Sequence, residues 1–168
     1  LTAHRGGHPV CVIAPHDKAE TIERVRIFPI GRWRSRILRG TAAAARAFWI
    51  AARQRAGIYH FHDPELLPWG WLLQRTTKGL AVFDMREYYP ESIRSKGWIP
   101  QPLRVPASWL FEHMESFFLR RIAGVVTVNE DLGMRARGKG ARVLVAPNYP
   151  PKALFESPPG DEGLRARY

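Results

Sequence analysis

Two short clusters carry residue types that do chemistry at close spacing. His60-Phe61-His62-Asp63 puts two imidazoles on one face of an extended segment, since side chains there alternate with period two, and adds a carboxylate. Paired imidazoles at a strand end can ligate zinc. A metal site needs further His, Cys or Asp groups at ligand spacing, however, and His113 stands isolated, so no bound metal is expected. Asp84-Met85-Arg86-Glu87-Tyr88-Tyr89 sends carboxylates, a guanidinium and two phenols into a proline-bounded loop, where rigid scaffolds display function. Asp63-Pro64-Glu65 opens a helix: Asp63 is a natural N-cap, and acidic groups there answer the positive end of the macrodipole, so capping alone explains this triplet.

Both clusters follow short apolar runs, and the chain has five such runs. VCVIA leads to PHD, IYHF to HDPE, LAVFD to MREYYPE, VVTV to NED and VLVA to PNYP. Consecutive Val/Ile-rich positions over four or five residues suit strands covered on both faces, as in a parallel sheet. Ligands of open α/β sheets bind just beyond the carboxyl ends of the strands. The polar residues after each run are therefore the candidate site: Asp17, His62, Asp63, Glu65, Asp84, Arg86, Glu87, Asn129, Glu130 and Asn148.

Strands are expected over Val10–Ala14, Arg24–Ile30 (nearer an edge), Gly57–Phe61, Leu80–Asp84, Gly124–Val128 and Arg142–Ala146. Helices are expected over Trp33–Arg55, Pro64–Arg75, Pro102–Ile122 and Glu130–Arg137. The alternation gives an α/β fold: a Rossmann-like, doubly wound, mainly parallel sheet with helices on both faces. Leu1–Gly7 resembles a helix end with a glycine stop. If so, the strand before it, central in the common order, is missing from residues 1–149, and the proline-rich stretch 150–168 suits a linker toward a further domain.

The 168 residues suffice for one domain with a real core, and 45% hydrophobic with 24% charged residues argues against wholesale disorder. No signal peptide and no apolar stretch of the roughly 18–20 residues that cross a bilayer is visible. The lone Cys11 excludes a disulfide framework and reads as a buried, inert thiol. These features favour the cytoplasm. A net charge of +11 predicts attraction to phosphate-bearing partners. At roughly 100° per residue, Arg32, Arg36, Arg39, Arg46 and Arg53 share one stripe of the first helix, opposite Trp33, Ile37, Ala44, Phe48 and Ala52. Seven arginines from Arg32 to Arg55 face no acidic residue, which fits a solvated face or docking on an anionic membrane surface. Nucleic acid fits less well, because no recognition motif accompanies the charge. Gly133–Gly140 (GMRARGKG) imitates a P-loop, but it lacks the final Ser/Thr and follows a helix, so it reads as a glycine-rich helix-to-strand turn.

Taken together, residues 59–68 (YHFHDPELLP), 82–91 (VFDMREYYPE) and 96–100 (KGWIP) resemble the N-terminal domain of bacterial family-4 glycosyltransferases. Glu112–Arg121, residues 125–130 (VVTVNE) and 145–150 (VAPNYP) continue the likeness in register, covering about Gly7 to Phe155. The resemblance implies a GT-B enzyme with two Rossmann-like domains. Sugar passes from a nucleotide-sugar donor to a hydroxyl acceptor with retention, generally without a metal or other cofactor. Acceptor binds mostly to the N-terminal domain and nucleotide to the C-terminal one, so this stretch alone is expected to be inactive. Sugars or lipid-linked saccharides are the implied acceptors, at the inner face of the cytoplasmic membrane. Similar sequences read Asp-x-His-Glu where this chain has Asp84-Met85-Arg86-Glu87. Arginine takes up no proton near neutral pH but can neutralise a developing pyrophosphate charge. Arg86, Asp84 and Glu87 are the implied reacting-centre groups; His62, Asp63, Glu65, Tyr88, Tyr89, Asn129, Glu130 and Asn148 the implied substrate contacts. Alternatives are a non-catalytic Rossmann-like module and a metal-dependent hydrolase built on His60 and His62.

Overall fold

A computed structural model describes residues 6–32, 35 and 38–147. Asn148, Arg36, the side chain of Arg39, the proline-rich tail and residues 1–5 lie outside the described residues. The fold is α/β and Rossmann-like, with its strands divided between two sheets. The smaller is ordered β1 (Cys11–Ala14), β3 (Val25–Pro29), β2 (Glu20–Ile22). The larger holds β4 (Ile58–Phe61), β5 (Leu80–Met85), β6 (Gly124–Thr127) and β7 (Val143–Val145) in that order, all parallel.

The smaller sheet corrects two expectations. β3 is central rather than near an edge, because β2 pairs with it antiparallel. The hairpin turns on Glu23 and Arg24, both left-handed at φ 48° and 65°. Such two-residue turns usually announce themselves with Asn-Gly or Gly-Gly, and the absence of that signal hides β2 in the sequence. Cys11 is exposed on this sheet rather than buried.

The first helix is shorter than the arginine pattern suggests. Ser35 sits in a bend, a π-helical stretch runs over Arg39–Ala43, and α1 follows as Ala44–Gln54. Arg32 lies outside it, ion-paired to Asp17 at 3.0 Å. Of the expected stripe only Arg46 and Arg53 are exposed side chains on α1, with Phe48 buried opposite. The second helix begins as a 3₁₀ turn over Pro64–Leu66 and becomes α2, Leu67–Thr76. Asp63 has the extended backbone of a cap (φ −81°, ψ 131°) but no side-chain capping bond, and its carbonyl accepts from Leu66 N instead. The proline-bounded loop contains an unexpected short helix, α3 (Tyr89–Ser95), with Pro90 in its first turn. Then come α4, Gln101–Leu119, and α5, Glu130–Gly138. Gly140, at φ 81°, closes the helix-to-strand turn expected of the P-loop-like stretch.

One core joins the larger sheet to α2, α4 and α5. Phe61, Ala81, Phe83, Met85 and Val125 turn one way, onto Leu67, Leu119, Leu132 and Ala136. Contact is close: a Cβ added at Gly70 would lie 2.3 Å from the Phe61 ring. Gln74 ties the layers, accepting from Ala81 N and donating to Arg121 O. Period-two alternation turns Ile58, Leu80 and Leu144 to the opposite face, where they remain 63%, 53% and 65% exposed. Cover on that second face is not seen among the described residues. The helix layer holds a fully buried charge. Glu115 on α4 is 0% exposed and bonded to Lys139, while Lys139 also lies 3.8 Å from Glu112. Burial pushes the Glu115 carboxyl up, partly offset by Lys139.

Candidate functional site

Register creates the site. Phe61 pairs with Phe83 across parallel β4 and β5, so both chains leave the sheet at the same rim with His62 alongside Asp84. Alternation puts His60, His62, Asp84 and Arg86 on the less covered face, while Phe61, Phe83 and Met85 anchor the strands into the core. Thr127 pairs with Met85, so Asn129 leaves β6 at this rim too.

Asp84 is the hub. Its Oδ2 lies 2.8 Å from His62 Nδ1, 3.2–3.3 Å from the Arg86 guanidinium nitrogens and 4.0 Å from His60 Nε2. The carboxylate is 9% exposed as a residue, whereas the His62 and Arg86 side chains are 49% and 62% exposed. A buried acceptor thus holds two solvent-facing groups. Arg86 also approaches His62 Nδ1 at 3.2 Å, but that nitrogen cannot donate to Asp84 and accept from arginine at once. The shorter contact assigns Nδ1–H to Asp84. His60 packs 5.0 Å from the His62 ring, and partial burial, then His62, lower its pKa.

The fold also supplies what sequence spacing did not, a third ligand-type group beside the histidine pair. His60, His62 and Asp84 offer atoms within 4.8 Å of one another. Arg86 already occupies the mouth of that trio with a fixed positive charge, which opposes a divalent cation there.

The other candidates divide. Tyr89 borders the site, its hydroxyl donating to His62 O at 3.4 Å, and its phenol is pushed up to about 12, chiefly by burial. Tyr88 turns away: it donates to Glu112 at 2.7 Å, and Arg135 and Lys139 lie over its ring. Glu87, just before α3, accepts from Ser92 of that helix at 2.9 Å. Asn129 caps α5, accepting from Leu132 N at 2.9 Å, and Glu130 pairs with Arg137. Asp63 is exposed beside His62, Glu65 is in the 3₁₀ turn, and Asp17 accepts from Arg32.

The site as a whole is an open shelf with one fixed cation, one oriented imidazole and one buried carboxylate. Such a shelf can hold hydroxyls and answer negative charge on an approaching ligand. Residues 2–149 match the family model of the glycosyl transferase 4-like domain. No curated protein matches the chain.

Proposed function

The chain belongs to the glycosyl transferase 4-like domain family, and from that premise we propose that it forms the acceptor-binding half of a retaining, GT-B glycosyltransferase. The donor is a nucleotide-sugar and the acceptor a hydroxyl of a sugar or lipid-linked saccharide, worked on at the inner face of the cytoplasmic membrane. The observation that carries this reading is the hydrogen-bonded group His62–Asp84–Arg86 at the shared rim of β4 and β5.

In the reaction, the acceptor oxygen bonds to the anomeric carbon as the bond from that carbon to the leaving phosphate oxygen breaks. The acceptor's proton passes to the departing phosphate. Arg86 answers the charge that develops on that phosphate, and Asp84 fixes its guanidinium in advance. His62 Nε2 accepts a hydrogen bond from a second, non-reacting hydroxyl of the acceptor. The imidazole that similar sequences carry two residues after this aspartate is here supplied from the neighbouring strand, on the same carboxylate. Tyr89, protonated at physiological pH, contributes a donor and a ring edge. No bound metal or other cofactor takes part in this scheme.

Release of nucleoside diphosphate from nucleotide-sugars by the complete protein, dependent on added acceptor, tests the proposal. Arg86→Ala and Asp84→Asn are expected to lower it by about 10²–10³. Full activity in both variants overturns it. A second reading, a metal-dependent hydrolase, draws on the 4.8 Å grouping of His60, His62 and Asp84. Zinc titration separates the two: stoichiometric binding abolished by His60→Ala, with hydrolysis following the metal, belongs to the hydrolase alone.

A further inference from the structure

We propose that the outer surface of the α1–α2–α4 helix layer is a docking face for an anionic lipid bilayer. The inference starts from α4, whose outward side has the wrong polarity for water. A helix packed on a core carries charge on its solvent face. Here Leu103, Leu110 and Phe117, spaced by sevens along one stripe, are 55%, 65% and 41% exposed, and neighbouring Trp109 is 59% exposed. Both carboxylates of α4 are committed elsewhere, Glu115 being buried against Lys139 and Glu112 bonded to Tyr88.

The polarity continues across the layer. Trp71 on α2 lies 6.4 Å from Phe117, and Phe48 on α1 lies 5.5 Å from Trp69 on α2, so the three helices stand side by side. Neither α1 nor α2 contains an aspartate or glutamate. On α1, exposed Trp49 sits between exposed Arg46 and Arg53. At the far end Arg121 covers the Phe117 ring at 3.6 Å, and Arg75 lies over Trp71 at 5.8 Å. Arg120 and Arg121 also border a cavity of about 400 Å³ shared with Lys78 and Arg142 and lined by no acid.

An occupant must therefore accept large apolar side chains, tolerate indole rings and bring negative charge. A bilayer interface meets all three demands, with acyl boundary for leucine and phenylalanine, the headgroup zone for tryptophan, and phosphate for arginine. A second copy of the chain meets only the first, since its own +11 charge opposes self-association. Nucleic acid leaves the leucine stripe uncovered. Arg46 and Arg53 belong both to this surface and to the arginine stripe expected from sequence, and the surface is argued without the transfer chemistry.

Co-sedimentation of the complete protein with vesicles of phosphatidylcholine alone, or mixed with phosphatidylglycerol, is the test. Binding is expected to the mixed vesicles, to weaken with salt, and to fall about tenfold or more in Leu110→Glu/Phe117→Glu and, separately, in Arg46→Glu/Arg53→Glu. All four positions are exposed, and circular dichroism checks that each variant folds; the pairs lie on different helices, so one suffices if the other fails. Unchanged binding in a folded variant pair overturns the proposal, as does equal binding to the uncharged vesicles. Absence of vesicle binding in a protein that elutes as a dimer, and as a monomer after Leu110→Glu, assigns the face to a second copy instead. Sugar transfer enters none of these readouts, so this face and the reaction stand or fall separately.

Discussion

Two networks in this molecule each join a buried carboxylate to a cation, and they differ in what they leave open to solvent. In the helix layer, Glu115 and Lys139 are paired at 0% and 11% side-chain exposure, with Glu112 and Tyr88 attached. At the strand rim, Asp84 holds His62 and Arg86 while both remain open to solvent. The first network has its ion pair, Glu115 and Lys139, enclosed among the helices. The second hangs from a single buried carboxylate, with its hydrogen-bonding capacity turned outward. The reaction proposed for this rim draws on the accessibility of its charged ends rather than on the number of charges.

That contrast can be broken by mutation, most strongly at the enclosed network. Lys139→Met leaves a buried carboxylate without its partner and is expected to destabilise by about 3–5 kcal/mol in denaturant unfolding. Next comes the packing that separates the two regions. Gly70→Ala drives a methyl toward the Phe61 ring, with an expected loss of about 1–3 kcal/mol. A pH profile gives a smaller, signed effect. Burial raises the folded pKa of Glu115 above its ordinary 4.5, so its contribution to stability is fully present below that value and is lost as pH rises through the folded value. Glu115→Gln is expected to flatten that decline in unfolding midpoints compared between acid and neutral pH. Smallest of all is Arg86→Met at the open rim, where unfolding is expected to change by less than about 0.5 kcal/mol. A large loss of stability there would make the rim network structural and erase the contrast.

Much of the layout was legible in the sequence, and the failures have physical causes. The five apolar runs are visible because parallel strands need unbroken Val/Ile/Leu character, and each proved to be a strand. Positions 62 and 84 could be matched because equal runs leave the sheet at one rim. Hidden features depended on contacts between distant residues. β2 exists because Val25 and Ile22 pair across a strained Glu23-Arg24 turn. Asp84 as third member of the histidine cluster arises from register, which local spacing does not encode. Tyr88 and Tyr89 look equivalent as neighbours, yet α3 begins between them and turns Tyr88 toward α4. The bare apolar side of α4 was likewise invisible, because a buried and an exposed leucine are written alike.

Turnover by the complete protein carrying Arg86→Met, compared with its unfolding midpoint, tests the central claim most directly. Acceptor-dependent release of nucleoside diphosphate is expected to fall about 10²–10³-fold while the midpoint stays put. Wild-type turnover with the guanidinium gone would contradict the assignment of this rim to sugar transfer.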